Sequence, residues 1–315
     1  MRLLTKYPCT GVAFSPFEHG RIAISSAQHF GIVGNGFQSV FDLRPSGAVE
    51  SRAYMTQDAV YDCCWSESNE HHLVSACGDG SLKLWDLGIA VNRPLRAFHE
   101  HRREVYSVNW NVIQRDIFLS ASWDGQIKLW TPEMPQSLNS WNGHQGFIYR
   151  ACWSPKSAFA FLSCSADCSV RMWDTRSPVC AFTFLGHQHE VLSVDWCKYD
   201  EYTFASGGAD RTIRLWDTRR SNQCMKTMVG HRYAVRNVKF SPFSPQHLLS
   251  CSYDLTVALW NCMFNTGSHS LMINSEHHKE FVVALDFNVL HDGQVASASW
   301  DRSTCVWSLG QNPDR

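Results

Sequence analysis

The feature that most limits how this chain can fold is an internal repeat of 43 to 47 residues running through it. Tryptophan recurs at Trp85, Trp130, Trp173, Trp216, Trp260 and Trp307, with Phe41 one period earlier. Six positions before these stand Asp79, Asp124, Asp167, Asp210, Asp254 and Asp301, with Asn35 in the first copy. Four positions before each aspartate stand Ser75, Ser120, Ser163, Ser206, Ser250 and Ser297. Five copies add a histidine 19 residues ahead of the serine: His101, His144, His187, His231 and His278. Histidine to tryptophan is 29 residues in all five, whereas tryptophan to the next histidine varies from 14 to 18. A constant core with a variable connection is what a stacked unit with one free outer strand produces. The pieces EVYSVNW, FLSAS and QIKLW are short, rich in β-branched and aromatic residues, and broken by Asp-Gly turns, so each repeat reads as strands. The expected fold is all-β: a seven-bladed β-propeller, one domain over 1–315. After Trp307 only SLGQNPDR remains, too short and polar for an outer strand. Residues 2 to 7 are therefore expected to supply it and to close the last blade, protecting its edge.

A recurrent His, Ser and Asp invites a hydrolase reading. Catalysis, however, needs one triad with an oxyanion hole, and here the set recurs five times without any G-x-S-x-G elbow. The pattern resembles WD repeats, in which Trp, Ser, His and Asp form a structural hydrogen-bonded tetrad that satisfies buried polar groups. The copies ending at Trp130, Trp260 and Trp307 lack the aspartate that usually follows the tryptophan.

Composition narrows the function. Basic and acidic side chains number 28 and 29, for a net charge of -1, without the basic excess of a phosphate-binding protein, so no nucleic acid partner is expected. The 13 cysteines include no C-x-x-C and mostly sit in apolar runs, which reads as buried, reduced thiols. Neither Cys164, Asp167 and Cys168 nor His187 and His189 supplies the second pair a structural zinc needs, so no metal or other cofactor is expected. No apolar run reaches the ~18 residues of a membrane span, and neither a secretory signal at the start nor a peroxisomal tripeptide at the end is read.

In WD-repeat chains the partner-binding face carries the residues three and five after each histidine and the one before each aspartate. With Thr56 in the histidine slot of blade two, those positions include Tyr61, Glu104, Tyr106, Trp123, Phe147, Tyr149, Glu190, Arg236, Tyr253, Phe281 and Trp300, with Asp58 beside them. An aromatic floor flanked by acids suits an interface. The non-consensus pieces AQHFGI, DWCKYDE and HRYAVRNVKFSPF, together with stretches such as WSESNEHHLVSACGDGSLKLWD and SCSYDLTVALW, resemble receptors for the type 2 peroxisomal targeting signal from blade one to blade seven. The resemblance implies a non-enzymatic cytosolic import receptor that cycles to the peroxisome. Its cargo would be thiolase-like proteins whose N-terminal leader reads Arg or Lys, a Leu-like residue, five variable residues, His or Gln, then Leu or Ala. It also implies a co-receptor, either the long type 1 signal receptor or a dedicated peroxin, and a peroxisomal docking complex. Residues seven apart share one side of a helix, so the two pairs make a single stripe. On this reading Asp58 and Glu104 would meet the basic residue, with Glu190 the next candidate, Tyr61 and Tyr106 would hold the apolar residue that follows it, and Trp123, Phe147, Tyr149, Tyr253 and Trp300 would complete the cargo-binding floor. The rival reading is a substrate adaptor of a cullin ubiquitin ligase, from the W-D-x-R patterns at Trp173 to Arg176 and Trp216 to Arg219. No helical docking segment precedes blade one, and no coiled-coil heptads suggest a G-protein β-like scaffold.

Overall fold

The computed structural model describes residues 1–89, 91–262 and 271–309. They build seven four-stranded antiparallel sheets. In each repeat the inner strand is the segment after the histidine slot, such as Val105–Trp110, and the chain steps outward through Phe118–Ser122 and Gln126–Trp130 to Asn139–Asn142. The strands are apolar because both faces are covered by neighbouring sheets: Phe118–Ser122 is buried along its whole length. Each core cluster accordingly spans two blades, as where Val74, Leu82, Leu84 and Phe98 of blade two meet Val105, Trp110, Phe118 and Trp130 of blade three. Carboxylates and amides on the inner strands also bind the next blade's backbone. Asp62 accepts from Val108 N–H (3.2 Å), Asn109 from Trp153 N–H (2.9 Å), Asp195 from Phe240 N–H (2.8 Å) and Asp286 from Phe14 N–H (2.8 Å).

The second and third strands of blades two to seven turn tightly after the repeat aspartate, and the residue that follows it is left-handed. It is glycine at Gly80 and Gly125 (φ 80°) but Cys168, Arg211, Leu255 and Arg302 elsewhere, with φ between 64° and 72°. A side chain at such a φ costs roughly 1–2 kcal/mol, so the aspartate turn holds a strained residue in four blades.

The last sheet runs Arg2–Leu4, Ser303–Ser308, Gln294–Ser299, Val282–Phe287. The closing strand is shorter than the 2-to-7 span expected from sequence. Arg2 pairs with Cys305, Leu3 with Thr304 and Leu4 with Ser303. Thr5 N–H still reaches the Arg302 carbonyl (2.9 Å). Lys6 and Tyr7 have already turned away, with the Lys6 ammonium over the Phe37 ring. Leu3 is 4% exposed and joins the cluster between blades seven and one.

Deleting residues 1 to 5 should lower the melting temperature by several degrees, since burying Leu3 alone contributes about 2 kcal/mol; an unchanged melting curve would show that the ring does not depend on this strand. Arg211→Gly, at an exposed position with φ 66°, should raise the melting temperature by a degree or more, because relief of the left-handed φ exceeds the roughly 0.5–1 kcal/mol of added unfolded-state freedom. A lower melting temperature in that variant would show that the position is not strained.

Candidate functional site

The loops on the face of the ring that carries the histidines are fixed from below by buried polar columns. In blade three Trp130 Nε1–H donates to Ser120 Oγ (2.8 Å), Ser120 Oγ meets His101 Nε2 (2.7 Å), and His101 Nδ1 meets an Asp124 oxygen (2.8 Å). Asp124 also accepts from Arg102 N–H (3.0 Å) and Gln126 N–H (2.9 Å), tying the histidine loop to the turn. The same column joins Trp173, Ser163, His144 and Asp167, then Trp216, Ser206, His187 and Asp210, and then Trp260, Ser250, His231 and Asp254. In blade seven Ser297 and Asp301 hold His278, but the histidine–aspartate distance stretches to 3.3 Å, and Arg2 of the closing strand binds the same carboxylate at 3.0 Å. The geometry is that of a catalytic triad, yet all five serines are 0% exposed, and in four columns a tryptophan N–H already donates to the hydroxyl oxygen, so no substrate carbonyl can reach it.

Blades one and two depart from this plan. Blade two has no histidine in the repeat slot, and Thr56, which stands there, bonds within its own loop, to the Asp58 carbonyl (2.6 Å). Gln38 of blade one takes the vacant role: its Oε1 accepts from Ser75 Oγ, itself bound by Trp85 Nε1–H, and from Ser25 Oγ. Asp79 instead holds Ser81 and Lys83. In blade one Phe41 pairs with Ile22 just as Trp130 pairs with Phe118, and the serine slot is Ile24. Asn35 belongs to a longer loop.

Above the columns the rings named from sequence come together as two groups. Tyr61, Tyr106, Trp123 and Phe147 follow one another at centroid distances of 4.8, 5.0 and 5.1 Å, and Tyr149 meets Tyr106 edge-on at 5.7 Å. Tyr253, Phe281 and Trp300 form the second group, at 4.7 and 5.3 Å. Sequence reasoning missed Phe30, which lies 5.0 Å from Trp300. The next residue, Gly31, accepts a hydrogen bond from Tyr61 Oη (2.8 Å), so one loop of blade one bridges both groups. The signal for it was the degenerate first copy, where the repeat aspartate is replaced by Asn35. Arg236 lies over the Tyr106 ring at 5.0 Å. Phe30, Tyr61, Tyr106, Arg236, Tyr253 and Trp300 wall a recess of about 20 Å³ at the channel mouth.

Acids stand around this floor. Burial, then Tyr106, Glu104 and Asp58, push the Tyr61 hydroxyl well above the ordinary tyrosine range, which places both carboxylates within electrostatic reach of that ring. Asp58 Oδ1 accepts from Ala59 N–H (2.7 Å) and no lysine or arginine among the described residues pairs with it; Glu104 meets Arg103 at 3.5 Å. Glu190 is exposed on the far side and accepts from Tyr149 Oη (3.1 Å). The opposite mouth of the channel is a cavity of about 240 Å³ that contains two ion pairs, Lys239 with Asp286 and Lys198 with Asp195, both at 2.9 Å. Arg176 and Arg219 of the W-D-x-R patterns fold back on Asp174 and Asp217 at 2.6 Å.

A family model for the WD domain, G-beta repeat, matches residues 51–86, 92–131, 135–174, 178–217, 222–261 and 269–308. The chain belongs to the WD-repeat family. The first matched repeat begins at residue 51, within the outer strand Gly47–Thr56 of blade one, so the three inner strands of that blade lie outside the match. Among curated relatives, this WD-repeat chain is 44% identical over 127 residues to the peroxisomal targeting signal 2 receptor of Dictyostelium discoideum, covering 40% of each chain. It is 45% identical over 138 residues to peroxisome biogenesis protein 7 of Arabidopsis thaliana, covering 42% of this chain and 44% of the relative. It is 42% identical over 126 residues to the peroxisomal targeting signal 2 receptor of Homo sapiens, covering 40% and 39%. The aligned stretches thus span about two fifths of the relatives' length. No helix among the described residues is long and apolar enough to cross a membrane.

The columns make WD-repeat stability sensitive to acid. Burial raises the Asp167, Asp210 and Asp254 carboxyls, but hydrogen bonds from their histidines and turn residues outweigh it and hold all three far below the usual carboxylate range. Burial also lowers His144 and His278 from the ordinary value of 6.5. The unfolded chain therefore takes up protons at these histidines before the folded one does, and stability present above pH 6.5 is lost as pH falls below it, with the carboxylates adding a further loss only below about pH 4. Melting temperatures from pH 8 to 5 should be flat and then fall below about 6.5; a curve flat down to pH 5 would contradict this.

Proposed function

We propose that this WD-repeat ring, residues 1–315 acting as one unit, is a soluble receptor for the N-terminal type 2 peroxisomal targeting signal. It would take up cargo in the cytosol, engage a co-receptor and deliver the cargo to the docking complex, cycling between cytosol and peroxisome. The observation that carries this reading is the arc of aromatic rings, flanked by the loop carboxylates of Asp58 and Glu104 that lie within electrostatic reach of Tyr61. A helix whose stripe combines basic and apolar side chains needs that combination opposite it. Tyr61, Tyr106, Trp123, Phe147 and Tyr149 would take the apolar residues on one side, Tyr253 and Trp300 on the other, and Glu190 would offer a second acidic edge. The names of the relatives support the same reading. Receptor work of this kind requires no catalytic group, and the binding energy comes from desolvated rings and one charge pair.

Position one of the leader, Arg or Lys, is assigned to Asp58 and Glu104. Replacing both by Arg should weaken a leader peptide beginning with Arg about thirtyfold or more, since losing one partner of a desolvated charge pair costs about 2–5 kcal/mol. A peptide with Glu at that position should regain part of the affinity. Wild-type titration curves for the Arg peptide in a folded double variant would move the charge site elsewhere, with Glu190 next.

A further inference from the structure

Blade one gives up the tight turn that its neighbours share. Its second and third strands, Arg21–Ala27 and Gly36–Arg44, are joined by residues 28 to 35, and this loop is built rather than loose. Its neck is closed by Gln28 N–H to the Asn35 carbonyl (2.8 Å) and by Asn35 N–H to Gln28 Oε1 (3.2 Å). Two pins hold it over the channel mouth, the Phe30 ring on Trp300 and the Gly31 carbonyl on Tyr61 Oη. Gly31 allows the second pin: at φ 82° a Cβ there would stand 2.8 Å from Tyr61 Cε1. His29 and Phe30 adopt left-handed φ values of 47° and 60°, a strain that persists only where the surroundings impose it.

What this clamped loop displays is apolar. Ile32 is 85% exposed, the highest value of any large hydrophobic side chain among the described residues, and Val33 is 63% exposed. The loop returns to the sheet at Gly36, which pairs in register with Thr56, and Asp58 lies two residues beyond Thr56. An aliphatic tip and a carboxylate without a cationic partner therefore rise from the paired ends of two strands: the Asp58 carbonyl lies 2.6 Å from where a Cβ on Gly36 would stand, and the Tyr61 hydroxyl binds the Gly31 carbonyl just before the tip. A held surface of this kind loses little ordering entropy on binding.

We propose that Ile32 and Val33 form the seat for the apolar residue that directly follows the basic residue at the start of the leader. This rests on the leader-receptor reading and adds a wall to its site that the repeat pattern does not contain. The occupant follows from the pairing of features: an adjacent basic and apolar residue matches an adjacent acid and aliphatic pair.

The test uses the full chain carrying Ile32→Ser and Val33→Ser, both exposed and outside the tetrads, after confirming that its melting temperature equals the wild type's. Two labelled leader peptides are titrated, one beginning Arg-Leu and one Arg-Ala, with and without a candidate co-receptor. The expected result is that the double variant binds the Arg-Leu peptide about tenfold or more weaker while the Arg-Ala peptide binds as it does to the wild type. An undiminished preference for leucine in the variant overturns the proposal. So does a variant that keeps both peptide affinities and loses only the tightening produced by the co-receptor, since the surface would then belong to that partner. If the wild type binds neither peptide, the leader-receptor reading itself fails, and the seat with it.

Discussion

In five of the seven blades the loops on the candidate face are positioned by a buried chain of Ser, His and Asp, joined from below by Trp in four of them. One aspartate takes hydrogen bonds from the histidine, from the backbone after it, and from the turn two residues beyond itself. The inner-strand entry and the outer turn are thereby locked together in one blade after another. Five such columns set the rings of the face at stacking distance although no regular backbone ladder connects one blade to the next. Nearest-neighbour cores and side-chain ties between inner strands supply the rest of the cohesion, as expected of a structure built from repeats.

Much of this was legible in the sequence because the columns impose fixed spacings. The 29-residue interval from His101 to Trp130, repeated at His144, His187, His231 and His278, reflects a column that cannot lengthen without breaking. The closing strand was legible in place but not in extent, since nothing in RLLTKY indicates that the chain turns away at Lys6. Gln38 was not legible. It replaces a histidine by reaching from a neighbouring blade, and a contact between Gln38 and Ser75 leaves no periodic trace. The loop at 28 to 35 escaped for the same reason: a departure from the period marks where something differs without specifying what was built. The tyrosines of the floor were found because they occupy repeat positions, whereas Phe30 occupies none.

Blade one thus stands apart in two respects with one origin. Lacking the column, with Ile24 and Phe41 in place of serine and tryptophan, it is not bound to the short turn and can carry a longer loop. Its neighbour is stabilised in exchange through Gln38. The repeat positions supply the floor of the candidate site, and the break in the repeat supplies the one loop that rises above it.

The seam between Arg2–Leu4 and Ser303–Ser308 bears on how the molecule is made. Arg2 and Asp301 are 299 positions apart, so during synthesis the first strand must wait for nearly the whole chain. At about 5–20 residues per second that interval is roughly 15–60 s, while blade one presents an uncovered flank. Closing so long a loop is entropically slow. The edge of the last blade consequently stays unpaired until the two ends of the chain meet, and the seam is the last contact made at birth.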